Sequence, residues 1–486
     1  MIPRRTLLSL PAAALLVGSA SPAVEALPPA LSFGREATDV IVVGGGGAGL
    51  SAAAAAAEAG CRVTLLERMP AVGGNTRVSG GFFAAVDPRR QARIGVRDDV
   101  DFLARQIVEN GAPDVDPALA RVLARGASRM LALLEREGMR FRDDVIELYG
   151  SHWPRCHMPI LPNGEGYVRT LLSIARREGV RIRTRARATE LLIRSGRVAG
   201  VRFEENGEVR ELLAGRGVIL ASGGFGANPS LVERFAPELA GLTNDNTPGS
   251  TGEMLLEARK AGAELIGLGE IQCLPGCPPG RTRRVRLHND VSRFIFVDRT
   301  GRRFVREDAR RDVLRDTILA LPGRLAYSVI DDVCLRSYDI LMQKEAVLGV
   351  ETGDAWRGDT VEELARAMGV PPEALRATID EYNRGVLERH DRFGKAPAEL
   401  LHEIRTPPFW ACFAAMTVHY TMGGVRINER AQALRPDGSV VPGLWAAGEV
   451  AGGVHGVNRM GANGINDALV FGRIAGRSAA GLPADL

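Results

Sequence analysis

Cysteine is scarce in this chain. Only six of the 486 residues are cysteine, and Cys61, Cys156, Cys273, Cys277, Cys334 and Cys412 form no CxxC pair and no CxxCH motif. That excludes a thiolate metal site and covalently attached haem, so no metal is expected. Cys273 and Cys277 stand four residues apart, open either to a disulfide in an oxidising compartment or to two unlinked thiols. Basic runs are missing too: a net charge of +4 is spread over 62 Lys and Arg and 58 Asp and Glu, which argues against nucleic acid as a partner. No apolar stretch reaches the roughly twenty residues that cross a bilayer, so the chain is not expected to be an integral membrane protein. Aromatic residues make up 5% of the chain while glycine contributes 57 residues, a balance that suits an α/β protein whose backbone approaches a ligand closely at several points. At roughly 150 residues per domain, a chain of this length divides into two to four units.

The N-terminus, MIPRRTLLSLPAAALLVGSASPAVEA, sets Arg4 and Arg5 before an apolar stretch from about Leu7 to Val17, then small residues ending in Val24-Glu25-Ala26. Residues 1–26 read as a twin-arginine export signal, with a frayed N-terminal helix as the alternative. That signal leads to an expected periplasmic location and to export of an already folded chain.

From Thr38 the run TDVIVVGGGGAGLSAAAAAAEAGCRVTLLE is an apolar strand, a glycine turn, an alanine-rich helix and a second strand ending at Glu67. Gly44, Gly46 and Gly49 supply G-x-G-x-x-G: the first allows a tight turn, the second lets backbone N–H groups reach a pyrophosphate, and the third lets helix and strand pack closely. The helix start favours a phosphate, and Glu67 is placed to accept hydrogen bonds from a ribose. Ala48 and Arg68 complete this dinucleotide site. Farther on, Asp116 and Pro117 open a helix. The segment GVRIRTRARATELLIRSGRVAGVRF reads as strand, RGVILASGGFGAN as a strand ending at Gly223-Gly224, and GLWAAGEVAGGVHGVNRMGANGINDALVFGRIAGRSA as strand, turn and helix. Between them, from Leu268 to about Leu401, lies a stretch rich in Pro and Arg with a capping box from Thr360 to Glu363. The fold expected is therefore α/β: a Rossmann-like dinucleotide-binding domain, residues 36–268 and 402–486, with an inserted α+β capping domain, residues 269–401.

Six ordered stretches, VVGGGGAGLSAA, GGNTRVSGG, ASGGFGAN, GRRFVREDARRD, TVHYTMGGV and AAGEVAGGVHGVNRMGANGIND, give the chain a resemblance to a known family. From about Asp39 to Ala480 it resembles the soluble fumarate reductase flavoproteins and their relatives among the succinate dehydrogenase flavin subunits, urocanate reductases and L-aspartate oxidases. The resemblance implies FAD. Gly73, Gly74, Asn75, Thr76, Ser79, Gly80, Gly81 and Gly223 would lie along the cofactor, Gly448 and Glu449 at its ribityl chain, and Asn463 and Ile465 at the pyrimidine edge. Members with covalent flavin have histidine where this chain has Asn75, so noncovalent FAD is expected.

The resemblance also assigns three catalytic side chains. His419 and Arg459 correspond to residues that clamp a substrate carboxylate, a task suited to a planar guanidinium fork and an imidazole donor. Arg311 corresponds to an arginine that delivers a proton to substrate carbon, although an arginine with its usual pKa above about 12 is a poor acid. Where fumarate-specific members have a histidine for a second carboxylate, this chain has Leu274, and Arg286, Leu287 and Asp290 stand where the family's threonine, glutamate and relay arginine would be. A second carboxylate beside a leucine would go unpaired, at a cost of several kcal/mol. The expected substrate is thus an enoate with one carboxylate, of the urocanate or arylacrylate kind. Arg286, His288 and Asp290 either replace the relay or meet the far end of the substrate, and His157 either lines the cavity or packs. The expected activity is reduction of a carbon–carbon double bond with electrons from a separate redox protein such as a cytochrome c. A dehydrogenase or oxidase working in the opposite direction is the alternative, followed by a noncatalytic flavin carrier.

Overall fold

The computed structural model describes residues 36–281 and 283–484; the expected export signal, residues 1–26, lies outside the described residues. Val40, Ile41, Val42 and Val43 are all buried, because the strand Glu36–Val43 is central in its sheet and covered on both faces. It pairs in parallel with Val63–Glu67 on one side and Glu208–Leu220 on the other. The sheet has eight strands. Its path continues through Arg181–Thr184 at one edge and through Val440–Ala446 and Gln432–Leu434 at the other. An antiparallel hairpin, Ala186–Arg194 with Arg197–Glu205, runs on from Glu208–Leu220 and makes the sheet mixed.

The alanine-rich helix Gly47–Glu58 is buried from Gly47 to Ala57, as expected of a helix apolar on every side. Its neighbour is the last helix, Asn463–Ala479. A Cβ on Gly472 would lie 2.4 Å from the Ala48 carbonyl oxygen, and one on Gly476 would lie 2.2 Å from that of Ala52. Small residues on both helices therefore set how closely they approach. Strands and helices from both ends of the described chain share this sheet and its covering layer.

A second sheet of four strands carries its own core. The order is Ile295–Val297, Tyr327–Ile330, Phe409–Phe413, Ala355–Gly358, all antiparallel. The helices Val361–Met368 and Pro372–Glu388 contribute Leu364, Leu375 and Ile379 to a core with Ile295, Val297 and Val329. Phe409–Phe413 lies past residue 401, where the change in composition suggested that the insertion ends; it follows a Pro407-Pro408 pair and is held by pairing with Tyr327–Ile330, a long-range contact that composition does not record.

Local signals read from the sequence recur with their caps. Asp116 accepts from the Ala118 N–H at 2.8 Å to start the helix Pro117–Arg136. Thr360 accepts from the Glu363 N–H at 3.1 Å, but the Glu363 carboxylate turns to the Asp359 N–H instead of closing the box. Cys273 and Cys277 are free thiols, each buried. No helix among the described residues is long and apolar enough to cross a membrane.

One buried ionic cluster ties the inserted unit together. Glu307 is fully buried and takes Arg303 at 2.8 Å and Lys395 at 3.2 Å, while Arg303 also reaches Asp391 at 2.5 Å. Removing one member leaves buried charge without compensation. Glu307→Ala should lower the unfolding free energy of this unit by about 3–5 kcal/mol, read as a shift of its urea transition; an unshifted transition would show that the cluster is not what holds it.

Candidate functional site

A single continuous cavity runs from Glu67 and Arg68 to His419, Arg459 and Arg311. Its floor is the glycine turn, in which the three glycines do different things. Gly44 has φ +107 and a Cβ there would sit 2.3 Å from the Ala221 oxygen; on Gly49 a Cβ would sit 1.8 Å from the Gly44 oxygen. Both positions are closed by backbone. At Gly46 a Cβ would meet only the Gly73 oxygen, 4.0 Å away, so this residue opens onto the cavity. No side chain caps the helix that follows. Its Gly47 N–H donates to Thr76 Oγ1 at 3.1 Å, and the positive end of the helix points toward the turn. Glu67 is buried and accepts from the Gly45 and Met69 N–H groups, each at 2.7 Å. Burial pushes its carboxyl upward against these bonds, and its remaining lone pairs can accept from a ribose.

Of the residues singled out from the sequence, Gly44, Gly46, Ala48, Glu67, Arg68, Gly74, Asn75, Thr76, Ser79, Gly80, Gly81, Gly223, Glu449 and Ile465 line this cavity with the three catalytic candidates. Four others stand behind it. Gly49 packs on Gly44, Gly73 is enclosed by the Arg77 side chain, and Gly448 lies against Ala48 and Ala468. Asn463 is buried and spends its amide on the Gly461 carbonyl and on Asn466, both at 3.1 Å, so it pins the start of the last helix and leaves the cavity wall to Gly464 and Ile465. Asn75 binds across to the loop after Thr243–Asn244: its Oδ1 accepts from the Thr247 N–H at 2.8 Å and its Nδ2 donates to Asn246 at 2.7 Å. Glu449, half-buried in the cavity wall, is pushed up to about 7 by desolvation although the Thr421 N–H donates to it at 3.0 Å.

At the other end the catalytic candidates meet. A three-stranded sheet, Thr243–Asn244, Ala415–Thr421 and Ile271–Gly276, brings Asp245, His419 and Gln272 together. Gln272 pairs with Tyr420 and Cys273 with Val418, so His419 is the extra residue of a β-bulge, an arrangement that re-aims a side chain. Arg311 begins the helix Arg311–Leu319 and is buried. It donates to Gln272 Oε1 at 3.0 Å and to the Tyr149 carbonyl at 2.6 Å, with its guanidinium 5.2 Å from the Tyr149 ring centroid. Gly150 lets it pass: a Cβ there would lie 2.7 Å from Arg311 Nε. Arg459, over the Tyr420 ring at 4.5 Å, donates to the same Gln272 oxygen at 2.7 Å. One amide oxygen thus holds both guanidiniums. Burial, and then repulsion from Arg459, bring Arg311 down to about 9; burial also lowers Arg459.

His419 Nδ1 lies 3.0 and 2.9 Å from the two oxygens of Asp245. Burial pushes the Asp245 carboxyl upward, but His419 and Arg284 outweigh it and hold the group at about 2. An ionised carboxylate can only accept, so Nδ1 carries the proton and Nε2 is left for the cavity. Burial depresses the His419 pKa while Asp245 opposes the change.

Gln272, Asp245 and Tyr149 were not singled out from the sequence. Gln272 carried a signal, being the one polar side chain in Ile271–Gly276, whose residues are all buried. Asp245 and Tyr149 carried none, since loop residues acquire partners only through the fold. Leu274, Arg286 and His288 line the cavity, and Arg286 pairs with Glu345 at 3.3 Å. Asp290 does not line it; its carboxylate closes a turn to Ser292 and pairs with Arg293 at 2.9 Å. Leu287 is a core residue. His157 packs, with Nδ1 3.1 Å from the Phe83 carbonyl and Nε2 3.4 Å from Asp87.

Comparison with known proteins agrees with this geometry. A family model described as an FAD binding domain matches residues 39–465. The chain is 34% identical over 459 residues to a urocanate reductase of Eggerthella lenta, covering 91% of this chain and 75% of that one. It is 32% identical over 516 residues to an NADH:acrylate oxidoreductase of Vibrio harveyi, covering 92% of this chain but only 51% of the relative, so it spans about half of that protein. Among solved structures, the open conformation of a flavocytochrome c3 fumarate reductase superposes with a TM-score of 0.74 at 31% identity, over 92% of this chain and 79% of the other.

The open space at Gly46 provides a direct test of the cradle. Gly46→Val should leave the thermal unfolding of the flavin-free protein nearly unchanged yet weaken FAD retention by about 100-fold, as expected for an overfilled close-approach site. Absorbance at 450 nm after gel filtration would measure it, and a fully yellow variant would show that the cofactor does not approach here.

Proposed function

The chain belongs to the FAD-binding family, and on that premise we propose that this FAD-dependent oxidoreductase reduces the carbon–carbon double bond of an enoate bearing a single carboxylate. The supporting observation is Gln272, whose one oxygen joins Arg459 and Arg311. The group suited to hold a carboxylate and the group suited to deliver a proton are thereby fixed side by side in a buried cavity.

The residues fit the cofactor: a glycine turn open at Gly46, an uncapped helix start and the Glu67 carboxylate at one end, and the Asn75 to Gly81 segment with Ile465 toward the other. Bound flavin, once reduced by its electron donor, would supply a hydride for the β carbon and return to FAD. The chain does the rest. Arg459 and His419 Nε2 grip the carboxylate, which orients the double bond and stabilises the negative charge that builds toward the acid group. Arg311 gives one proton to the α carbon and is left a neutral guanidine until solvent reprotonates it. A guanidinium near 12.5 would give up that proton reluctantly; one brought to about 9 is a far better acid. Burial excludes water from the pair and strengthens each of these interactions.

Leu274 in the cavity wall supports a substrate other than fumarate, because it offers no hydrogen bond to a second carboxylate. Arg4 and Arg5 ahead of the apolar stretch from Leu7 to Val17 support export to the periplasm, where a separate redox protein would supply the electrons.

Anaerobic reoxidation of the dithionite-reduced holoenzyme by a panel of enoates tests the reading; bleaching of the oxidised flavin by saturated acids instead would reverse the proposed direction. In that assay Arg311→Ala should lose about 10²–10⁴-fold in rate while remaining yellow. The wild-type rate should fall tenfold per pH unit above about 9, as Arg311 loses the proton it must donate. A rate that is flat to pH 11 would remove Arg311 as the acid. Leu274→His should tighten fumarate binding, by about tenfold for one added hydrogen bond to a charged group, measured as KM; an unchanged KM would place position 274 outside the substrate's reach.

A further inference from the structure

Two polar atoms in the wall beside Arg311 have no partner among the described residues, the Tyr149 hydroxyl and His288 Nδ1. Both residues line the cavity that holds Arg311 and Arg459. They are almost completely enclosed, at 4% and 3% exposure, and their rings meet edge to face with centroids 6.3 Å apart. Buried polar groups without partners are uncommon, and each calls for a physical account. The remaining unpartnered atoms of this cavity, Arg311 Nε, Arg459 Nε and Ser222 Oγ, belong to the carboxylate end or to the end of the nucleotide strand. Tyr149 and His288 belong to neither.

The surroundings define what could satisfy them. Phe294 and Phe296 stand against His288, each with ring centroids 6.3 Å away, and Leu148 and Leu274 line the same cavity. Three cations stand around the pair: Arg284 is engaged by Asp245, Arg286 by Glu345, and Arg311 by Gln272 and the Tyr149 carbonyl. Burial keeps the phenol protonated and holds the imidazole neutral, so one side chain offers a hydroxyl and the other an uncharged ring nitrogen. A carboxylate here would have to compete with Gln272 and the Tyr149 carbonyl for Arg311 and would find the other two guanidiniums already paired with acids, so it would be poorly compensated. A purely apolar group would fill the space but leave both orphans unmade.

We propose that Tyr149 and His288 form a substrate subsite for a flat, uncharged β-substituent that carries a hydrogen-bonding heteroatom, such as a phenol or an azole. This rests on the reading of the protein as an enoate reductase and names the substrate class. The subsite adjoins the acid, since the Tyr149 carbonyl accepts from Arg311 and its ring lies against the guanidinium. A site with built-in hydrogen-bond partners discriminates strongly against an analogue that lacks the matching group.

The test uses the oxidised holoenzyme, in which an enoate binds without being reduced, and reads Kd from the perturbation of the flavin spectrum. Cinnamate, 4-hydroxycinnamate and 3-(4-imidazolyl)acrylate are the probes. At least one of the two polar acids should bind ten times or more tightly than cinnamate. That preference should fall to within about twofold in Tyr149→Phe or in His288→Phe, the ratio being taken within each variant so that a general loss of affinity cancels. Equal binding of all three acids to the wild type, or a preference untouched by both substitutions, would overturn the subsite. If the preference holds but no enoate reoxidises the reduced enzyme, the subsite stands and the reductase reading falls.

Discussion

Two arginines share one amide oxygen at the centre of this molecule. Arg311 and Arg459 both donate to Gln272 Oε1 while buried and repelling each other. The choice of an amide matters. A glutamate at position 272 would hold the same two guanidiniums, but its negative charge would compete with the carboxylate that the pair is placed to receive. Glutamine fixes their positions and leaves their charge uncancelled. The cost of burying two cations is thus kept in the free protein and relieved when an acid arrives, which is how a preorganised site favours charge developing during reaction. Much of the nearby architecture serves that point: the bulge at His419, the missing side chain at Gly150, and the aromatic faces of Tyr149 and Tyr420 under the two guanidiniums.

The inserted unit has a different basis. Its sheet and helices enclose their own apolar core, and Glu307, Arg303, Lys395 and Asp391 are buried as a compensated group. Segments beside this unit carry the residues that finish the cavity, Arg284, Arg286 and His288 in one loop and Arg311 at the start of a helix. The other face of its sheet, through Phe296, Ile330, Trp410 and Cys412, joins the main core, so these groups are presented from a unit packed firmly against the rest of the chain.

What could be read from the sequence was whatever local physics determines. The glycine turn announced itself because Gly44 and Gly49 face backbone that no side chain could share, and the Asp116 cap because its partner lies two residues away. Arg311, His419 and Arg459 were recognisable from the motifs around them, and the fold brings them to one cavity. Asn463 was placed with the cofactor by its motif, yet its amide is consumed in holding a helix start, a difference of one residue that periodicity does not resolve. Asp245, Tyr149 and Gln272 depend on partners 174, 162 and 187 residues away. No local pattern encodes such separations, and for that reason the second layer of the site was invisible until the chain was folded.

The stacking of the Gly47–Glu58 helix on Asn463–Ala479 has a consequence for biosynthesis. The two stretches meet across 418 residues of sequence at Ser51 and Leu469, so the first is synthesised long before the second, and the strand Val440–Ala446 that flanks Glu208–Leu220 also follows the inserted unit. A nascent chain that has already completed its inserted unit therefore still lacks the walls of its nucleotide cradle. A chain shortened before Asn463 would lack the part of the cavity wall that Gly464, Ile465 and Ala468 supply.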